Sequence, residues 1–335
     1  MNCSALPLPP ARDLPVPDGS RLARLARVDR SAYDVLTADG PLRLPALPPP
    51  CDATVGDWLA VTDDAVQAVL PRTSLLVRGA ASGHSSTQPL AANVDVVLVC
   101  ASLSGRLPVR RVERLLLLAW ESGATPVVVL TKADLHPDPD QAVRELAPHA
   151  PGVQVLTVRA AEGDVAALAP YSTPGTTLVL LGASGTGKST VVNALAGGAV
   201  MDVGSVRAVD DKGRHTTTHR ELVVLPSGAV VIDTPGLRAV AVAGSDEGMS
   251  RAFSDVEELA TACRFADCAH VGEPGCAVQA SVDAGDLSAE RMASWHKLQR
   301  ELAFQARRTD ARLRAEEKAK WKSLHRAQRV RGIRP

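Results

Sequence analysis

The sequence predicts an α/β protein: a parallel sheet bearing a phosphate-binding loop, preceded by a small β-barrel and followed by a helical, metal-binding region. Three observations point there. Nearly continuous apolar runs, such as Val94 to Val99 and Pro126 to Leu130, alternate with helical stretches, the pattern of strands buried on both faces. The octapeptide Gly182 to Ser189 matches G-x-x-x-x-G-K-[ST], with an apolar strand before it and a helix after it. Three of the six cysteines crowd between Cys263 and Cys276. The chain start lacks the basic-then-apolar layout of an export signal, so a reducing compartment is expected and clustered thiols read as metal ligands before disulfides.

The 335 residues suffice for two or three domains at about 100–200 residues each. Apolar residues make up 45 %, which supports a sizeable core and excludes wholesale disorder. Lys+Arg and Asp+Glu balance at 37 each, so a globally basic coat for nucleic acid is excluded while a local patch is not. Aromatics at 3 % argue against broad stacking platforms. No apolar run approaches the roughly 20 residues of a membrane helix, so a cytoplasmic protein with no membrane contact is expected.

Residues 1–20 are Pro-rich and form a loose lead-in. From Arg21 onward short strands are expected: Tyr33 to Thr37 turns through Ala38-Asp39-Gly40 and returns as Leu42 to Leu44, followed by Val55 to Val61 and Val66 to Leu70. A β-barrel fits this spacing, with Gly79 to Thr87 as a linker. Buried strands are then expected at Val94 to Val99, Pro126 to Leu130, Val153 to Val158, Thr177 to Leu181 and Ala229 to Ile232. Val109 to Glu121 carries apolar residues at three- and four-residue steps and reads as a helix. After about residue 245 the strands stop, and Leu287, Met292, Trp295, Leu298 and Leu302 form an apolar helical face. Residues 301–335 hold 11 basic against 4 acidic side chains, a tail that suits rRNA phosphates or plain solvation.

In the loop Gly182-Ala183-Ser184-Gly185-Thr186-Gly187-Lys188-Ser189, the glycines let backbone N–H groups turn inward around phosphate oxygens. The helix opening at Thr190 adds a favourable dipole. Lys188 reaches the β- and γ-phosphates and the Ser189 hydroxyl ligates Mg²⁺. Asp233-Thr234-Pro235-Gly236 ends a neighbouring strand: Asp233 can hold Mg²⁺ through water, and the Gly236 N–H can meet the γ-phosphate. Thr131-Lys132-Ala133-Asp134 resembles the Asn-Lys-x-Asp base motif of GTPases. Asp134 would accept from guanine N1–H and the exocyclic amine. Adenine offers neither donor, so a buried carboxylate would be left unpaired, and sites of this kind discriminate by roughly 10⁴–10⁵. The Lys132 stem would lie along base and ribose. Thr131 stands where Asn is usual; one hydroxyl cannot bridge at both ends as an amide does, which predicts a weaker hold. Val158 to Ala161 falls where a base-backing loop belongs, with Arg159 in place of the usual Ser.

These motifs are out of the ordinary order: the base motif precedes the phosphate loop, which precedes Asp233. A circular permutation preserves the pocket and moves the chain ends. Gly213 to Thr218 supplies a candidate switch threonine for Mg²⁺ and the γ-phosphate, Thr217 before its close rivals Thr216 and Thr218. Leu237 follows Gly236 where many GTPases orient water with Gln, and His215 is the nearest replacement for that task. Catalysis is thus assigned to Lys188, Thr217 and His215, and nucleotide contact to Thr131, Lys132, Asp134, Gly182 to Thr190, Asp233 and Gly236. Cys263, Cys268, His270 and Cys276 form a Cys₃His set for one tetrahedral, structural Zn²⁺. Cys3, Cys51 and Cys100 read as small apolar residues.

With Gln88 to Asp95, the base motif, the phosphate loop, Gly213 to Thr218, Asp233 to Arg238 and Cys263 to Cys276 in hand, the chain resembles the RsgA/YjeQ family of circularly permuted GTPases. The resemblance implies an N-terminal OB-fold (21–85), a permuted GTPase domain (86–245), a zinc-binding domain (246–305) and a basic tail (306–335). It also implies GTP and GDP as ligands, GTPase activity stimulated by the small ribosomal subunit, contact with its rRNA, and a role in its late maturation, carried out by a monomer. A P-loop small-molecule kinase or ATPase is disfavoured by Thr131 to Asp134. A GTP-binding adaptor with negligible turnover is kept open by the missing glutamine.

Overall fold

The computed structural model describes residues 14–47, 53–78, 88–201, 221–233 and 246–309. His215, Thr217 and Gly236 lie outside the described residues, as do the expected linker at 79–87 and most of the basic tail.

The first strands are β1 (Arg21–Val28), β2 (Ala32–Thr37), β3 (Gly40–Pro45), β4 (Trp58–Val61) and β5 (Val66–Val69). β2 and β3 make the expected hairpin, with Thr37 opposite Gly40. β1 is the hub and pairs antiparallel with both β2 and β4, while β4 pairs with β5. Alternation of apolar and polar residues buries Ala23, Leu25, Tyr33, Val35, Leu44 and Leu59 in one small core. An antiparallel ribbon follows, β6 (Leu75–Arg78) and β7 (Gln88–Ala92). Its Leu76, Leu90 and Ala91 enter the core of the next layer.

That layer holds β8 (Val96–Ser102), α1 (Val109–Glu121), β9 (Thr125–Thr131), α2 (Pro139–Leu146), β10 (Gln154–Thr157), β11 (Thr177–Leu181), α3 (Lys188–Ala196), β12 (Glu221–Val224) and β13 (Val230–Asp233). The strand order is β10-β9-β8-β11-β13-β12. The first five are parallel and β12 runs antiparallel to β13. The expected parallel sheet is therefore present, and the helix expected at Val109 to Glu121 has those limits. β12 also pairs with β1 at Arg27 and Glu221, so the barrel strands and the parallel sheet form one continuous hydrogen-bonded surface.

Two buried polar residues fix this joint. Asn93, wholly buried with a left-handed φ of 52°, donates from Nδ2 to the Gly56 carbonyl at 3.1 Å and accepts from the Thr73 N–H at 3.0 Å. Arg24 donates to the Asn93 carbonyl and to Thr177 Oγ1, and its guanidinium lies 4.5 Å over the Trp58 ring.

The C-terminal lobe comprises α4 (Asp246–Ala252), α5 (Ser254–Ala260), α6 (Ala277–Ala284) and α7 (Ala289–Thr309). The expected apolar face is buried: Leu287, Met292, Trp295 and Leu298 pack with Met249, Phe253 and Val256, and with Leu117 of α1. Helix α1 is thus buried on both sides, its Leu115, Leu116 and Leu118 facing the sheet core and Leu117 the lobe. Arg291 of α7, 2 % exposed, bonds Glu113 of α1 at 3.1 Å and Asp255 of α5 at 2.8 and 3.0 Å. It also donates to the carbonyls of His149 and Ala252 and stacks on Phe253. His149 Nδ1 meets the same Glu113 oxygen at 2.8 Å.

Candidate nucleotide site and metal centre

In a parallel sheet, loops at the carboxyl ends of the strands gather on one edge. Here these are the loops after β8, β9, β10, β11 and β13, and they bring together segments far apart in sequence. The phosphate loop joins β11 to α3. Gly182 has no room for a side chain: a Cβ there would stand 2.6 Å from the Cys100 carbonyl oxygen and 2.8 Å from Thr186 Oγ1. Gly187 caps α3 in the left-handed conformation, φ 84°, which turns the chain into the helix. Lys188 Nζ donates to the carbonyls of Gly182 and Ala183 at 2.9 and 2.8 Å, holding the ammonium within the loop. Burial lowers the Lys188 pKa, against the pull of Cys100 and Asp233. Cys100 is buried beneath it, and burial pushes its thiol up to about 12, consistent with an inert small residue.

Asp233 ends β13, the strand beside β11. Burial raises its pKa, Lys188 lowers it and Glu221 raises it again. A desolvated carboxylate so placed lacks full compensation from protein cations, and a divalent ion on it would supply the missing positive charge. Ser189 is partly buried in the first turn of α3.

Thr131 is the last residue of β9 and 1 % exposed. Its hydroxyl lies 2.6 Å from the Thr186 carbonyl oxygen, which accepts its proton, and 3.3 Å from that of Ala101. The residue expected to weaken the site therefore ties the base-side strand to the phosphate loop. The next residue, Lys132, adopts a left-handed φ of 57°, a conformation a β-bearing side chain rarely takes, and starts a short turn through Ala133 to Leu135. This sharp turn exposes Asp134, which has no hydrogen-bond or ion-pair partner among the described residues. Without a bound base the group is open to solvent. The segment expected to back the base does lie behind this turn, with the Ala133 N–H donating to the Val158 carbonyl at 3.3 Å. Arg159 is exposed and bridges Asp164 through the backbone.

The second cluster is formed by Cys263, Cys268, His270 and Cys276, whose ligand atoms all lie within 4.8 Å of one another. Cys263 Sγ is 3.7 Å from His270 Nδ1 and 3.9 Å from Cys276 Sγ, and Cys276 Sγ is 3.5 Å from His270 Nδ1. A tetrahedron with zinc–sulfur bonds near 2.3 Å has edges of about 3.8 Å, so these three donors already stand near the spacing of a closed Zn²⁺ site, with the Cys268 sulfur within 4.8 Å of each. His270 needs a left-handed φ of 59° to turn inward, and its ring sits 5.4 Å from that of Trp295. Glu273 holds the knuckle by accepting from the N–H groups of Ala269 and Val271 at 3.0 and 2.7 Å. This cluster could hold a metal ion.

Sequence reasoning missed Asn93, Arg24 and the Arg291–Glu113 contact. Asn93 was legible only as part of the segment carrying the family resemblance; nothing local marks the other two.

Comparison with known proteins agrees with this geometry. The RsgA GTPase family matches residues 69–243. The small ribosomal subunit biogenesis GTPase RsgA of Streptomyces coelicolor is 49 % identical over 317 residues, covering 91 % of this chain and 87 % of that protein. The protein of the same name from Opitutus terrae is 47 % identical, covering 83 % and 80 %. Among solved structures, YjeQ from Thermotoga maritima matches with a TM-score of 0.65 at 25 % identity, over 84 % of this chain and 98 % of that one. YloQ, a circularly permuted GTPase, shares the fold with a TM-score of 0.63 at 24 % identity, over 85 % and 96 %. The phosphate loop and the base-side turn meet on one edge of a permuted sheet, the relatives span nearly the whole chain, and the chain belongs to the RsgA GTPase family.

Proposed function

We propose that this GTP hydrolase acts in small-ribosomal-subunit biogenesis: it binds the subunit with GTP in place and leaves after hydrolysis during late maturation. The observation that carries the nucleotide half is the Thr131–Thr186 hydrogen bond, which holds the base-side turn and the phosphate loop in fixed register. Loop N–H groups from Ala183 to Ser189 would cradle the β-phosphate, and Lys188 would turn from the carbonyls of Gly182 and Ala183 to the β- and γ-oxygens. Asp134 would accept from guanine, with the Lys132 stem along the ribose. Ser189, Thr217 and, through water, Asp233 would hold Mg²⁺, which when bound neutralises charge on the phosphates. Gly236 would sense the γ-phosphate and His215 would orient water, both by their place in the sequence. The Cys₃His knuckle would hold one structural Zn²⁺. The ribosomal half rests on the relatives' names, and contact with rRNA by a cytoplasmic monomer belongs to the same reading. No helix among the described residues is long and apolar enough to cross a membrane.

The test is sedimentation with purified small ribosomal subunits in GDP and in a non-hydrolysable GTP analogue, alongside turnover with and without subunits. Co-sedimentation favoured by the analogue, with faster turnover on subunits, is expected. Nucleotide-dependent binding without turnover would make the chain an adaptor. Absence of binding in both states would remove the ribosomal half.

A further inference from the structure

Asp233 does not stand alone at its strand end. In the antiparallel pairing of β12 with β13 it lies directly across from Glu221. Residues directly opposite in such a ladder project from the same face with Cβ atoms about 4.5–5.5 Å apart, and like charges so placed destabilise the pair. The two carboxylates feel each other: beyond burial and the opposing pull of Lys188, Glu221 raises the Asp233 pKa.

The strand on the other side offers a counterion and does not use it. Arg27 of β1 is the partner of Glu221 in the pairing of β1 with β12. Its guanidinium turns instead to Asp29, Nε to Oδ1 at 3.2 Å, although Asp29 already holds Arg43 at 2.8 Å. Lys188, the cation that Asp233 does feel, gives its ammonium to the carbonyls of Gly182 and Ala183. Glu221 is exposed, and its carboxylate has no ion-pair or hydrogen-bond partner among the described residues.

Two carboxylates therefore share one corner of the nucleotide edge with their charge uncompensated. The phosphate loop, and not this pair, defines the corner: Asp233 ends the strand beside β11, and α3 opens behind the loop that β11 feeds. Glu221 also follows Thr217 by four residues in the sequence, so the segment leading into β12 is the one already assigned to the ion. Mg²⁺ dehydrates reluctantly and is held through one or two carboxylates together with substrate phosphates. A charged acceptor just outside its ligands orients the bound water and raises affinity.

We propose that Glu221 is a positioning residue for the Mg²⁺ of the nucleotide, an acceptor for the ion's water beside Asp233. The inference rests on the nucleotide reading and adds a residue to it. Its effect carries a sign that ordinary structural support would not. With the ion in place the Glu221 charge attracts; without the ion it repels the phosphates of the nucleotide.

The test uses the full chain, the variants Glu221→Gln and Glu221→Asp, and Glu145→Gln as a control at an exposed glutamate of α2. Melting temperature and zinc content check the fold. Mn²⁺, a paramagnetic stand-in for Mg²⁺, is titrated by electron paramagnetic resonance with and without GDP, and a fluorescent GDP analogue is titrated in EDTA. In Glu221→Gln the affinity of the GDP complex for Mn²⁺ should fall about tenfold, the lower end of the loss seen for partners outside a metal's ligands. GDP affinity in EDTA should stay level or rise. Glu221→Asp, which keeps the charge, should recover most of the Mn²⁺ affinity. Unchanged Mn²⁺ affinity in Glu221→Gln, or an equal loss in Glu145→Gln, overturns the proposal. So does a matching loss of GDP affinity in EDTA, which would make Glu221 a structural residue of β12. GDP bound by the unaltered chain without any Mn²⁺ would overturn the inference and keep the nucleotide reading. Mn²⁺ bound without GDP and lost in Glu221→Gln, in a chain that binds no GDP, would remove the nucleotide reading and leave Glu221 as a metal-holding residue.

Discussion

The nucleotide edge and the metal knuckle are built on opposite plans. The first draws on about 100 residues of chain: Thr131 and Asp233 end β9 and β13, and Lys188 opens α3 after the loop that follows β11, so each is placed by elements the sheet already fixes. The second draws four ligands from 14 consecutive residues that no sheet supports. Side chains at the nucleotide edge therefore sit on a scaffold that does not need them, whereas the knuckle's side chains would, with a metal bound, be the scaffold. Changes at the two places should separate cleanly into lost chemistry and lost structure.

The largest effect is expected from Cys268→Ser. Structural zinc contributes about 10–16 kcal/mol to the folding of isolated knuckles, more than the small apolar core of the lobe can replace. Metal analysis should fall from one zinc per chain to none, and hydrogen exchange should rise first across residues 246–300. Zinc absent from well-folded unaltered protein would break the comparison at its root.

Next is Arg291→Met. Glu113 would be left buried with only His149 beside it, half-buried Asp255 would lose its cation, and one Glu113 oxygen already has no partner among the described residues. Removing one member of such a set costs about 3–5 kcal/mol. A melting temperature lowered by several degrees, with bound zinc retained, is the expected result. An unchanged melting temperature would show that apolar packing of α1 against the lobe suffices.

Lys188→Ala should do the reverse. Loss of the charge opposite the γ-phosphate should slow hydrolysis by about 10²–10³, the cost of removing one preorganised donor. Stability should hold. Because burial places the folded-state pKa below the unfolded one, the charged lysine opposes folding at neutral pH, and that penalty fades as pH rises from the folded-state value towards the unfolded one and is gone above it. The melting temperature near pH 7 should thus stay level or rise slightly. A fall comparable to that of Arg291→Met would show that the nucleotide edge is structural after all.

The smallest change is Thr131→Val, which keeps shape and removes the donor to the Thr186 carbonyl. A neutral hydrogen bond contributes about 1 kcal/mol, so GTP affinity should drop roughly fivefold, measurable by titration with a fluorescent analogue. Unchanged affinity would mean that sheet geometry alone sets the register of turn and loop.

This division also explains what the sequence could disclose. The helix at Val109 to Glu121, the buried strands and the phosphate loop follow from local periodicity and spacing, and all lie where expected. The knuckle was legible because its ligands are neighbours. Contacts between distant residues were not: Arg291 and Glu113 are 178 residues apart, and each alone resembles an ordinary charged helix residue. The pairing of β1 with β12 was hidden for the same reason. The way Asp134 is presented depends on the left-handed turn at Lys132, a conformation that composition does not announce. Thr131 was judged by the residue it replaces; its value lay in the carbonyl that happens to face it.

Helix α1, with one side in the sheet core and Leu117 in the lobe core, has a consequence for synthesis. The partners of Leu117, beginning at Met249, are translated about 130 residues after it. At about 5–20 residues per second the nascent chain spends on the order of 10 s with a sheet that can close and a helix face that cannot. For that interval Leu117 and the Glu113 carboxylate face water, and the charge that later needs Arg291 is harmlessly hydrated. The lobe therefore arrives last, as a lid whose closing converts a solvent-facing carboxylate into a buried one, and a chain truncated before α4 would carry that sticky face permanently.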